Sequence, residues 1–251
     1  MYAFVRMAFA PELLAAIRRA RRVAALTGAG VSQESGVPTF RDAQTGLWAR
    51  FRPEELATPE AFRENPKLVW QWYAWRRELV ARAQPNAGHA ALVALAERVQ
   101  GFTLVTQNVD GLHQRAGSRD VIELHGNIAL TRCSDDGAAV DSWEDQGEVP
   151  PRCPRCGGCL RPGVVWFNES LPERALAAAF DAARGADVFL SIGTSSVVHP
   201  AAALPAVARE HGALVVEINP NPTPLTALAH HALAGTSATV LPELVAALGA
   251  A

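Results

Sequence analysis

The chain has 251 residues, 49% of them hydrophobic and 19% charged, with a formal net charge of −2. These values fit a globular protein with a well-buried core, either one large α/β domain or a domain carrying an insert. The slight acidic balance, without a long basic run, argues against a nucleic-acid binder whose affinity rests on phosphate neutralisation. No apolar run is long enough to span a bilayer.

The opening MYAFVRMAFAPELL holds one arginine and a weak apolar stretch, which is not the pattern of a signal peptide. Met7 is as good a start as Met1, and a cytoplasmic protein is expected. PELLAAIRRARR (11–22) reads as a helix and VAALTGAG (23–30) as a buried strand. The stretch 40–85 is Trp-rich and helical in pattern. AGHAALVALAERV (87–99) is a helix and FTLVTQN (102–108) a second strand. Residues 131–163 are rich in Gly, Pro, Cys and Asp and have no period. ERALAAAFDAARG (173–185), DVFLSIGTS (187–195), PAAALPAVAREHG (200–212) and ALVVEINP (213–220) resume the alternation of helix and strand. Continuous apolar strands alternating with helices predict an α/β fold, a parallel sheet with helices on both faces. The stretches 40–85 and 131–163 are two excursions expected to pack together as a smaller module.

Each strand ends in small or polar residues: Thr27-Gly28, Gln107-Asn108, Gly193-Thr194-Ser195 and Asn219-Pro220-Asn221. One such end is ordinary turn chemistry. Four together point to a ligand crevice beyond the carboxyl ends of the sheet. Gly28-Ala29-Gly30 gives a backbone room to approach a pyrophosphate at a helix N-terminus. Gln stands at position 33, where the usual dinucleotide fingerprint wants a third glycine. The loop that follows offers Arg41 and Asp42 to a phosphate or a ribose. Gln107, Asn108, Asp110 and His125 are candidates for holding and deprotonating a sugar hydroxyl, since imidazole suits general-base work near neutrality. His113, His199, His211, His230 and His231 are read as structural.

All four cysteines, Cys133, Cys153, Cys156 and Cys159, fall in one segment, which suggests a metal site before disulfides. In WQWYAWRREL (70–79), Tyr73 and Arg76 lie three apart and share a helix face.

The ordered set GAGVS-x3-GVPTFRD, TQNVDGLHQRAG, ELHG, CPRCGG-x-LRPGVVWF, GTSSVVHPAA and EINPNPTP closely resembles the sirtuins, NAD-dependent protein-lysine deacylases. The resemblance runs from about Arg22 to the end of the chain. It implies a Rossmann-like NAD-binding domain over residues 1–39, 86–130 and 164–251. Residues 40–85 would be a helical insertion, and 131–163 a zinc-ribbon-like one, of a smaller domain. It implies that Gly28, Ala29 and Gly30 face the NAD diphosphate, and that Phe40 and Arg41 belong to a cofactor loop. Asn108 would orient the ribose and a water, and Asp110 would hold the nicotinamide carboxamide, with Gln107 nearby. Gly193, Thr194, Ser195, Asn219, Asn221 and Ala238 would line the adenosine half. His125 would be the general base for transfer of the acyl group to the ribose, releasing nicotinamide, O-acyl-ADP-ribose and free lysine. Val165, Trp166 and Phe167 would pair with the substrate peptide as an added strand.

Within the resemblance, Tyr73-x-x-Arg76 matches the signature of the class III, desuccinylase-type branch. A planar guanidinium fork and a phenol suit the distal carboxylate of succinyl- or malonyl-lysine. The pattern departs at the first cysteine knuckle, where Asp136 stands in place of a cysteine beside Cys133. A structural zinc would then rest on Cys133, Cys153 and Cys156, with Asp136 or Cys159 as fourth ligand, or the site would be empty. It departs also at Asn168, where Gly is expected. Expected partners are acylated-lysine proteins or peptides, with no nucleic acid and no membrane; the oligomeric state is left open. The competing readings are a mono-ADP-ribosyltransferase and a non-catalytic NAD or ADP-ribose sensor.

Overall fold

The computed structural model describes residues 8–38, 51–144 and 147–249. Six strands form one parallel sheet: β1 (Val23–Thr27), β2 (Phe102–Thr106), β3 (Ile122–Glu123), β6 (Val188–Ile192), β7 (Leu214–Asn219) and β8 (His231–Ala234). Their spatial order is β3-β2-β1-β6-β7-β8. The chain runs outward from β1 to one edge, then restarts beside β1 with β6 and runs to the other. The topological switch therefore lies between β1 and β6, where an open α/β sheet leaves a crevice at the strand ends.

Alternate residues of the same strand feed two cores, which is why the strands read as largely apolar runs without a polar face. Ala25, Leu104, Leu190 and Val216 pack on α1 (Pro11–Arg19), α6 (Ala87–Ala96) and α10 (Ser237–Ala247). Ala24, Leu26, Phe189 and Val215 face α8 (Glu173–Gly185) and α9 (Leu204–Glu210). The sequence reading found β1, β2, β6 and β7 but passed over β3, β8 and α10. β3 is two residues long, β8 is a half-exposed edge strand, and α10 carries Pro242 in its interior.

Between β1 and β2 lie α3 (Pro53–Leu56), α4 (Pro59–Glu64) and α5 (Pro66–Arg82). Asn65 starts α5 by accepting the Leu68 N–H at 3.0 Å, with Pro66 at the first helical position. A short α7 (Leu112–Arg115) precedes β3. Between β3 and α8 come β4 (Gly126–Cys133) and β5 (Leu160–Val164), an antiparallel pair outside the main sheet. Trp72, Tyr73 and Val80 of α5 share a core with Ile128, Val164 and Trp166. Trp70 joins Cys133, Val140, Cys153 and Leu160 in a separate small cluster.

Beneath the strand ends sits a buried polar chain. Thr27 Oγ1 donates to Thr106 Oγ1 at 2.8 Å and lies 2.9 Å from His113 Nε2. The Thr27 hydrogen is thus spent, so His113 Nε2 must carry the other. His89, whose Nδ1 accepts the Asn86 N–H at 3.2 Å, stacks 4.8 Å from His113. Burial, and then the neighbouring His89, push the His113 pKa down to about 3. The unfolded chain takes up a proton below the ordinary value of 6.5 that the folded chain refuses. Stability therefore falls as the pH drops below 6.5 toward the folded value. From pH 7.5 to 5.5 this one group should remove about 1.4 kcal/mol. Denaturant titrations of wild type and His113→Gln check it: the variant should lose about that much less over the same interval.

Candidate active site

The turns after β1 and β6 touch. Gly30 N–H donates to the Gly193 carbonyl at 2.9 Å, and Gly28 N–H to Ile192 at 3.0 Å. A Cβ on Gly30 would come within 2.8 Å of the Gly193 oxygen. One on Gly193, whose φ is +58°, would come within 2.7 Å of Val31 N. Smallness here, expected for the sake of a pyrophosphate, has a further and local cause: two backbones share one space. Ala29 is exposed at the tip of the turn.

The end of β2 is tied into this junction. Gly28 O only accepts, so the Asn108 amide nitrogen faces it at 3.0 Å, and the same nitrogen donates to Ser32 Oγ at 3.1 Å. Both amide hydrogens are spent, and Asn108 Oδ1 is left as an acceptor. Gln107 Nε2 donates to Thr194 Oγ1 at 3.0 Å, and Asn219 Nδ2 donates to Thr194 O at 2.8 Å. Ser195 is half-buried. Ser196, at φ +56°, has a buried Oγ with no partner among the described residues. Asp110 is buried and accepts the Leu112 N–H at 2.9 Å through Oδ1.

His125 Nδ1 lies 2.9 Å from Gln107 O, an acceptor. Nδ1 therefore carries the hydrogen and Nε2 offers a lone pair. Burial lowers the His125 pKa, partly offset by that bond, so the free base is the dominant form at neutral pH.

At the far end of the crevice, Asn221 is exposed and its N–H reaches Asn219 Oδ1 at 3.5 Å. Ala238 N–H donates to Glu34 Oε2 at 3.1 Å and Thr236 Oγ1 to Glu34 Oε1 at 2.9 Å, so Glu34 caps the start of α10. Phe40 and Arg41 lie outside the described residues.

Tyr73 and Arg76 are both buried, 2% and 7% exposed. Burial pushes the Tyr73 hydroxyl up to about 12, so it stays a donor. The Arg76 guanidinium lies 5.1 Å from the Trp72 ring centroid. Burial lowers its pKa, opposed by Tyr73 and by the Asp110 carboxylate. The helical pair thus sits beside Asp110, in the loop after β2.

The segment after β5 closes over this pair. Val165 N–H donates to His125 O and Phe167 N–H to Ala57 O, both at 2.9 Å. Phe167 is 41% exposed, whereas Trp166 is buried, with its indole N–H on Tyr73 Oη at 3.1 Å. Asn168 takes φ +68°, the left-handed conformation that a glycine would adopt there and that Asn tolerates. The sequence reading passed over Arg161 and Glu169, which pair at 2.6 Å. Two opposite charges flanking the apolar run of LRPGVVWFNE were the available signal.

Cys133, Cys153 and Cys156 bring their sulfurs within 4.8 Å of one another. The N–H groups of Arg155 and Cys156 help hold the Cys153 thiol down to about 7. That donor set fits a thiophilic ion such as zinc. Neither expected fourth ligand completes the group. Asp136 is held by the Ala138 N–H at 2.9 Å and by Arg155 at 3.2 Å. Cys159 Sγ accepts from Arg152 Nη1 at 3.6 Å.

A model of the Sir2 family matches residues 28–200. The chain is 59% identical over 208 residues to the NAD-dependent protein deacylase of Aquifex aeolicus, covering 82% of this chain and 87% of that one. Against a solved structure of a Sir2 homolog–NAD complex it superposes with a TM-score of 0.88 at 47% identity, over 96% of this chain and 94% of the other. A Sir2 homologue mutant in complex with 2'-O-acetyl ADP ribose gives a TM-score of 0.87 at 49% identity, over 96% of each. The order of strands, the glycine junction and these likenesses agree: this chain belongs to the Sir2 family.

Proposed function

We propose that the protein is an NAD-dependent protein-lysine deacylase that prefers acidic acyl groups, succinyl and malonyl, and also accepts acetyl. The observation that carries this reading is the buried Tyr73 and Arg76 pair beneath residues 165–167, beside Asp110. The names of the relatives, and the NAD and acetyl-ADP-ribose ligands of the similar structures, support the chemistry.

Bound NAD would supply an electrophilic ribose carbon with nicotinamide as leaving group. The chain's residues do the rest. Ala29 and the turn around it hold the diphosphate, and Asp110 Oδ2 takes the carboxamide. Asn108, able only to accept on its free side, orients a ribose hydroxyl or a water. His125 Nε2 removes the ribose proton, its tautomer set by Gln107 O. Phe40 and Arg41 cover the ribose, while Thr194, Ser195, Asn219, Asn221 and Ala238 line the adenosine half. Gly193 joins them on the adenosine half. Val165, Trp166 and Phe167 form the strand against which the peptide lies. Residues 131–163 with 40–85 make the smaller domain, braced by a zinc on Cys133, Cys153 and Cys156. Asp136 or Cys159 is the fourth ligand in this reading, either of which would have to leave its present partners to reach the three sulfurs.

Three outcomes are expected. Arg76→Met should lower kcat/KM on a succinyl-lysine peptide about ten- to a hundredfold more than on its acetyl form, the worth of one charge-assisted hydrogen bond. Paired kinetics on one peptide measure this, and equal losses would sink the acidic-acyl assignment. His125→Ala should abolish turnover with both peptides, and the acid limb of the wild-type kcat/KM profile should fall below pH 6.5, since burial disfavours the protonated ring. A limb above that value would contradict the base assignment. Metal analysis should find about one zinc per chain, lost in Cys153→Ser with a lower melting temperature, and held more tightly against a chelator in Asp136→Cys.

A further inference from the structure

Trp166 belongs by position to the peptide-facing segment, yet its side chain points the other way, into the core with Tyr73. An indole N–H can only donate. At 3.1 Å from Trp166 Nε1, the Tyr73 oxygen is therefore the acceptor, and the phenol hydrogen must point elsewhere. Arg76, the neighbouring cation three residues along α5, is also donor-only and cannot receive it. Trp72 meets Tyr73 edge-on at 4.7 Å and closes another side with an apolar ring.

The indole is not free to swing. Arg161 stacks on it, 3.3 Å from guanidinium carbon to ring centroid. The same guanidinium grips Glu169 with both nitrogens, at 2.6 and 2.8 Å, and Glu169 accepts the Trp166 backbone N–H at 2.8 Å. Phe62 packs on the indole at 5.2 Å. Such a network fixes one rotamer of Trp166 and, through it, one direction of donation from Tyr73.

We infer that Trp166 is the specificity-positioning residue of the acyl pocket: by donating to the Tyr73 oxygen, it commits the Tyr73 hydroxyl hydrogen to the distal carboxylate of an acidic acyl group. The inference rests on the acidic-acyl reading above. It explains why a tryptophan with a buried N–H, rather than any large apolar residue, serves at this position.

The test compares kcat/KM for one lysine peptide in succinyl and acetyl forms. The proteins are wild type, Trp166→Phe, and a protein with 3-benzothienylalanine at 166, which replaces the indole N–H by sulfur at nearly the same volume. Each is made with Tyr73 and with Tyr73→Phe. Losses common to both peptides report disturbance of the peptide strand and cancel in the ratio. The succinyl-to-acetyl ratio should fall about fivefold with benzothienylalanine, as for one neutral hydrogen bond, and should not fall further in the Tyr73→Phe background. An unchanged ratio in a protein whose wild type prefers succinyl overturns the inference and leaves the acidic-acyl reading standing. A fall that persists in full without the Tyr73 hydroxyl also overturns it. A wild-type ratio at or below one overturns both. Should Trp166→Phe fail to fold, the benzothienyl protein carries the test alone.

Discussion

Everything at the crevice depends on how closely the backbone after β1 approaches the backbone after β6. Gly28, Gly30 and Gly193 meet with no room for a Cβ on any of them. That contact sets where Asn108 finds Gly28 O, where Gln107 finds Thr194, and where Asn219 finds the next carbonyl. Four strand ends are thereby locked into one polar rim. A single methyl group at Gly30 would have to move backbone atoms, which a packed parallel sheet resists. The rim is rigid before any ligand arrives, so less freedom is lost on binding.

The smaller part is organised by aromatic contact instead. Trp72 is fully buried and Trp70 meets Trp143 edge-on at 6.2 Å. Arg77 lies 4.9 Å from the Trp70 ring and donates to Ile128 O at 2.7 Å, tying α5 to β4. Arg115 donates to the carbonyls of Val80 and Ala83 and so ties the end of α5 to α7, close behind Asp110. The Tyr73 and Arg76 pair therefore lies where α5 meets β4 and the loop after β2. Arg76 and the neighbouring Arg161 sit over indole faces, which lowers the cost of holding charge away from water.

Much of this was legible in the chain. β1, β2, β6 and β7 announce themselves because most residues on both faces of each are buried and apolar, with only single polar residues such as Thr103, Ser191 and Glu217 inside them. The polar strand ends were visible as the points where apolar runs stop, and His125 as an imidazole in a short polar stretch. β3 and β8 were not, because an edge strand needs only two to four residues and half its side chains face water. The roles of Glu34, Ser32 and Glu169 depend on partners far along the chain or on a tight turn, and no local period encodes those. The left-handed Asn168 was readable, since a position reserved for glycine told of its backbone in advance.

The bond from Val165 N–H to His125 O has a consequence of its own. His125 directly precedes β4, Val165 directly follows β5, and Gly126 faces Val164 across the ladder. The backbone of His125 and the segment that would receive a peptide are thus tied into one frame. A peptide seated out of register would strain that frame and displace the base with it. Fit at the substrate backbone would then be felt as timing at the proton.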